Sequence, residues 1–213
     1  AADRRLYLDL LSQHAGCGGL RIVGYCLMTN HVHLVVVPER EDSLARVFGR
    51  AHGEYAQAFN RSSGRSGHVW QNRFFSCLLD QMGLAAALRY VDLNPVRARM
   101  AEQAWLWPWS SAAAHVDEGA ADTVLDPHWR ESVGRWNGAE WREILAAGAD
   151  EGETEALRRA THTGEPFGGG AFLARLETAA GRRLKVLPRG RPKKEEAPQT
   201  SYHGVQRSLF ASG

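Results

Sequence analysis

His31-Val32-His33-Leu34-Val35-Val36-Val37 is bounded by Thr29-Asn30 before and Pro38 after. The run is dense in β-branched residues and its ends carry turn and breaker residues, so it reads as a strand. Successive side chains on a strand point to opposite faces, which sets His31 and His33 side by side. Two adjacent imidazoles suit one metal ion with open coordination positions; polar residues lining a solvated sheet face are the plainer reading. Upstream, Arg21-Ile22-Val23-Gly24-Tyr25-Cys26-Leu27 is a second strand, and the short turn from Met28 to Asn30 joins the two as an antiparallel hairpin.

Outward from the hairpin, residues 3–14 are amphipathic and read as a helix closed by Gly16, Gly18 and Gly19. Asp42 or Ser43 is placed to cap a helix over 44–59. A polar loop, 60–67, leads to a strand over 73–79 (Arg-Phe-Phe-Ser-Cys-Leu-Leu). Residues 84–95 are rich in helix formers and stop at Pro95. On that helix Tyr90 and Asn94 share a face. A phenol beside a neutral oxygen ligand would complete a metal-dependent nucleophile site; packing of Tyr90 in the core, with Asn94 helping to end the helix, is the alternative. Helix, strand, strand, helix, strand, helix is an α+β order with an antiparallel sheet.

Four blocks stand in order: Leu27-Met28-Thr29-Asn30-His31-Val32-His33, Gly67-His68-Val69-Trp70-Gln71-Asn72-Arg73-Phe74, Arg89-Tyr90-Val91-Asp92-Leu93-Asn94-Pro95-Val96-Arg97-Ala98, and Trp107-Pro108-Trp109-Ser110-Ser111. Together they resemble the REP-associated tyrosine transposases, a branch of the single-tyrosine HUH transposases (HUH denotes His-hydrophobe-His). The resemblance spans roughly residues 3 to 115. It implies a ferredoxin-like antiparallel sheet with helices on one face. It implies that His31, His33 and Asn94 ligate Mg²⁺ or Mn²⁺, which acts as a Lewis acid on a scissile phosphate. Tyr90 would be the nucleophile, giving a 5′-phosphotyrosine and a free 3′-hydroxyl. A phenol ionises near about 10, so the site must activate it, and the sequence names no certain base. The family places one further strand before the first helix; here the chain starts almost on that helix, so the sheet is expected to lack its first strand, as in a fragment or a truncated gene.

The other tyrosines are less suited. Tyr7, Tyr25 and Tyr55 sit in apolar contexts that read as core, and Tyr202 falls in a polar tail. Trp70, Gln71 and Arg73 follow a Gly/Ser/Arg loop and offer base stacking and base or phosphate contacts; a Trp70 that merely covers the sheet is the competing reading. Trp105, Trp107 and Trp109 read as packing at the end of the domain. His52 and His68 have no spacing that recruits them to a metal.

Composition agrees without deciding. The chain has 213 residues, a net charge of +2 and 44% hydrophobic content, enough for one ordinary core plus an appendage. Arg46, Arg50, Arg61, Arg65, Arg73, Arg89, Arg97 and Arg99 crowd the motif-bearing half and suit phosphate contacts. Cys17, Cys26 and Cys77 form neither a Cys-x-x-Cys pair nor an even set, against a zinc ribbon or a disulfide framework. No apolar run approaches membrane-spanning length, so the expected location is cytoplasmic, in association with the nucleoid.

Residues 1–116 therefore read as the catalytic domain, 117–181 as a helical C-terminal extension and 182–213 as a basic, disordered tail. Arg189-Gly190-Arg191-Pro192 resembles an AT-hook, which would set Arg189 and Arg191 in an A·T minor groove. The expected partner is single-stranded or hairpin DNA, met by a monomer or a homodimer. Two other classes stay open: a metal-dependent phosphoesterase, which needs an acidic ligand and no covalent tyrosine, and a DNA-binding protein without catalysis.

Overall fold

A computed structural model describes residues 2–117, 119–134 and 136–185. Helix α1 (Ala2–Gly18) leads into strand β1 (Leu20–Leu27), a tight turn closed by Met28 N–H on His31 O at 2.9 Å, and strand β2 (Val32–Pro38). The hairpin is antiparallel, as expected, with Leu20 opposite Pro38 and Leu27 opposite Val32, and its register slips between Ile22 and Gly24. Helices α2 (Ser43–Ser63) and α3 (Gln81–Arg97) follow. A 3-10 turn at Ala104–Leu106 and helix α4 (Ala112–Val116) come next, then α5 (Trp129–Val133), α6 (Gly138–Ala146), α7 (Glu151–Thr163) and α8 (Gly170–Ala180). No helix among the described residues is long and apolar enough to cross a membrane.

The architecture is mixed α+β around a two-stranded antiparallel sheet. Strand alternation divides the core. Leu20, Ile22, Tyr25 and Leu27 pack with Tyr7, Leu8 and Leu11 of α1 and Val47 and Phe48 of α2. Val23, Cys26 and Val35 pack against Ala87, Leu88 and Val91 of α3, and Trp141, Leu145 and Leu157 of the later helices join the same cluster. Helices thus cover both faces of the hairpin, not one, because both of its faces are apolar.

The strand expected over 73–79 is absent. A strand needs a ladder, and among the described residues none lies along the free edge of β2. The segment instead meets the extension. Phe167 N–H donates to Leu78 O at 2.8 Å and a single bridge joins Leu79 to Phe167, while Phe74, Phe75 and Leu78 stay exposed. The outer edge of β1 is partly covered by residues 109–111: Leu27 N–H donates to Trp109 O and Ser111 N–H to Tyr25 O.

Two helix ends differ from expectation. Helix α1 runs through Gly16 to Gly18, because Gly18 lies where α1 crosses α2: a Cβ there would meet Val47 Cγ2 at 2.1 Å. Helix α3 continues through Pro95 to Arg97, since a proline two residues from the end forfeits little of the ladder. Its end is a Schellman motif. Met100 N–H reaches Pro95 O at 2.8 Å and Arg99 N–H reaches Val96 O at 2.9 Å, with Arg99 left-handed at φ 56°. Asp42 makes no side-chain cap on α2; Ser43 Oγ instead donates to Gly19 O at 2.7 Å, tying the helix start to the end of α1.

Candidate active site

Helix α3 is capped by Asp80, whose carboxylate accepts from Gly83 N–H at 2.7 Å and from Gly169 N–H of the extension at 2.7 Å. These backbone donors hold the Asp80 carboxyl below its ordinary pKa despite a desolvation that opposes them. The helix is then pinned at its middle. Asp92 is fully buried, and its Oδ2 accepts from His115 Nδ1 at 2.8 Å and from the Trp141 indole N–H at 2.9 Å. The second ring nitrogen of His115 lies 3.0 Å from Val23 O on β1. Both imidazole nitrogens face oxygen atoms, the Asp92 carboxylate and the Val23 carbonyl. One buried network therefore joins β1, α3, α4 and α6, two residues from Tyr90.

That anchorage sets Tyr90 beside His33 of β2 and His31, which immediately precedes the strand. The His31 and His33 rings meet edge-to-face at 4.8 Å, and His33 meets Tyr90 edge-to-face at 5.3 Å. His31 is exposed; its Nδ1 sits 2.8 Å from Asn30 Oδ1, an acceptor that puts the proton on Nδ1 and leaves the Nε2 lone pair free. Partial desolvation lowers the His31 pKa even so. His33 is pushed down to about 4, first by burial, then by the neighbouring charges of His31, Arg158 and Arg97. Both imidazoles are thus neutral near pH 7, the form that ligates metals.

Asn94 is buried one turn beyond Tyr90, and its amide N–H donates to Tyr90 O at 2.8 Å, leaving Oδ1 available to a cation. Two neutral imidazoles and an amide oxygen make a donor set that a divalent ion accepts. No carboxylate joins them: among the described residues no group of three or more His, Cys, Asp or Glu comes together. The structure brings His31, His33 and Tyr90 into direct ring contact, and Asn94 is linked to them through its helix.

Sequence reading counted Arg97 among the arginines suited to phosphate contacts but missed Arg158 beside Tyr90. Arg97 lies over the Tyr90 ring at 5.2 Å and Arg158 of α7 at 5.8 Å, with Arg158 Nε 3.5 Å from the phenol oxygen. Helix α7 is held against α3 by an ion pair between Arg89 and Glu153 and by burial of Leu157. The other tyrosines are engaged elsewhere. Tyr7 and Tyr25 are buried, Tyr25 donates to Asp122 at 2.8 Å, and Tyr55 donates to Asp3 at 2.8 Å. All three cysteines are free.

Gln71 and Arg73 are exposed beyond the end of α2. Trp70 is half-buried: it stacks on His52 at 4.1 Å and its indole N–H donates to His52 O at 3.0 Å, inside an aromatic group with Tyr7 and Tyr55. The Trp107 indole N–H donates to Leu27 O at 3.1 Å, and Arg4 lies over both Trp107 and Trp109. Arg189 and Arg191 lie outside the described residues.

No curated protein and no solved structure matches the chain. A family model does: residues 3–94 match the one described as "Transposase IS200 like". The matched segment holds both strands, the histidine pair and Tyr90, and it ends on Asn94. Residues 3–94 of this chain are thus similar to the IS200-like transposases, a family of DNA-processing enzymes.

Proposed function

We propose that this chain is a metal-dependent single-strand DNA endonuclease and strand transferase of the REP-associated type. The observation that carries the reading is the continuous contact from His31 through His33 to Tyr90, built from the end of the hairpin turn, β2 and α3. The Tyr90 oxygen attacks phosphorus, a P–O bond to the phenol forms and the P–O3′ bond breaks. The phenol proton is given up and the departing 3′-oxygen takes one. The product is a 5′-phosphotyrosine and a free 3′-hydroxyl, and the reverse attack rejoins strands. His31, His33 and Asn94 would hold Mg²⁺ or Mn²⁺, which would supply Lewis-acid polarisation of a phosphate oxygen.

Hairpin DNA flanked by a single strand is the substrate the resemblance implies. Exposed Gln71 and Arg73 suit its recognition, and Trp70 adds its exposed edge. Arg189 and Arg191 would add minor-groove contacts. A phosphoesterase needs an acidic ligand, and the absence of a carboxylate beside the described imidazoles speaks for the tyrosine chemistry. The test is a denaturing gel of the full chain incubated with labelled hairpin DNA and Mn²⁺ or Mg²⁺. A covalent adduct lost in both Tyr90→Phe and His31→Ala supports the reading. Tight hairpin binding with no adduct in the unaltered protein refutes it in favour of a DNA-binding protein without catalysis.

A further inference from the structure

Tyr90 is flanked by two guanidinium groups, those of Arg97 and Arg158. Arg97 is carried by α3, one turn beyond Asn94, and its Nη1 is buried without a hydrogen-bond partner. Buried donors of this kind are rare in folded proteins and mark a missing acceptor. Arg158 comes from the other side, on α7 of the extension. Its nearest carboxylate is Glu155 at 3.8 Å, on an exposed pair that holds it weakly, while its Nε points 3.5 Å from the Tyr90 oxygen. Both guanidinium groups lie within 6 Å of one ring, and an anion bound between two such like charges offsets their repulsion.

We propose that Arg97 and Arg158 form a phosphodiester-binding pair over Tyr90, in which Arg158, from outside the matched segment, is a catalytic residue touching the attacking oxygen and the scissile phosphate. The proposal rests on the strand-transfer reading above. Each guanidinium presents a planar set of donors that fits two phosphate oxygens, and a ligand oxygen on Arg97 Nη1 completes that buried group. As the phenol oxygen bonds to phosphorus and the 3′-oxygen departs, negative charge builds on the non-bridging oxygens. Fixed cations aimed at those oxygens stabilise that charge without having to reorganise. The ion pair of Arg89 with Glu153 then has a role: it holds α7 at the height that puts Arg158 over Tyr90. The extension supplies part of the active site, not merely a cover.

The experiment combines a residue change with a charge change in the substrate. The full chain and its Arg158→Ala and Arg158→Lys forms are given hairpin DNA carrying either the natural phosphodiester or a neutral methylphosphonate at the scissile position. On the natural substrate Arg158→Ala should slow adduct formation about 100-fold, with Arg158→Lys recovering part of the loss. On the methylphosphonate the unaltered protein and Arg158→Ala should differ by less than about threefold, because the charge that the guanidinium meets is gone. Equal losses on both substrates overturn the proposal, since they mark a residue that only shapes the site; so does no loss on either.

A binding arm separates this proposal from the chemistry itself. In a Tyr90→Phe background, neutralising the scissile phosphate should weaken hairpin binding about tenfold when Arg97 and Arg158 are present, and not when both are Ala. That dependence, found without any adduct in the unaltered protein, refutes strand transfer and keeps the phosphate site. Its absence overturns the phosphate site whether or not an adduct forms.

Discussion

Replacing Asp92 by alanine should unfold this protein more readily than any change at its surface. Both donors that Asp92 satisfies, His115 Nδ1 and the Trp141 indole N–H, converge on Oδ2 in a fully buried site. Alanine removes a charge-assisted bond and a second bond to the same carboxylate, and leaves an imidazole and an indole donor buried without acceptors. Losses of this kind sum to about 3–5 kcal/mol, a large part of the 5–15 kcal/mol typical of a domain. Asp92→Asn should cost less, about 1–3 kcal/mol. An amide oxygen in the place of Oδ2 keeps both donors, and the penalty arises where the amide nitrogen takes the position of Oδ1, an atom already without a partner. Urea unfolding followed by tryptophan fluorescence reads both, with Trp129 and Trp141 beside His115 as reporters. A cost below about 1 kcal/mol for alanine would refute the view that this network anchors α3. Asparagine as costly as alanine would show that charge, not acceptor count, carries the effect.

Gly18→Ala should destabilise by about 1–3 kcal/mol, since its Cβ would stand 2.1 Å from Val47 Cγ2; a thermal melt of the variant beside Gly16→Ala, where the space is open, checks it. Arg99→Gly relieves a left-handed residue at the end of α3 and should leave stability unchanged or raised by up to about 1 kcal/mol. Any drop in its hairpin affinity then reports a lost phosphate contact, read from the salt dependence of binding. His52, half-buried among aromatic rings with its Nε2 3.0 Å from the Tyr7 oxygen, is held down to about 4 by desolvation, below its unfolded value of 6.5. The unfolded chain therefore takes up the proton first: the stability tied to neutral His52 is complete above pH 6.5 and is lost as pH falls through about 4. The slope stays below about 1.4 kcal/mol per pH unit, and unfolding midpoints compared with His52→Gln should show the variant less sensitive over that window.

The hairpin was legible because period-2 alternation and its turn residues agree, and the Tyr90–Asn94 pairing because helical spacing is local. The strand over 73–79 misled because Phe74, Phe75 and Leu78 have strand propensity, yet a strand exists only where a ladder partner does; here the backbone partner is Phe167, nearly ninety positions on. Glycines 16 and 18 read as a stop, but close crossing with α2 demands a residue without a side chain at Gly18, and such a demand is invisible until Val47 is placed. The grouping of His31, His33 and Tyr90 was implied by the family resemblance. Asp92 carried a signal that went unused: an acidic residue between Val91 and Leu93 breaks an apolar face and asks for a buried partner. His115, inside Ala112-Ala113-Ala114-His115-Val116, asked the same question. Arg158 gave no such sign, since an arginine in a polar helix is ordinary until the fold lays that helix across Tyr90.

The most direct measurement is mass spectrometry of the protease-digested product after the full chain has met hairpin DNA and Mn²⁺. The account expects the nucleotide mass on the peptide that carries Tyr90, none on those with Tyr7, Tyr25 or Tyr55, and none from His33→Ala. A nucleotide on another tyrosine, or cleavage with no protein-bound nucleotide, contradicts it.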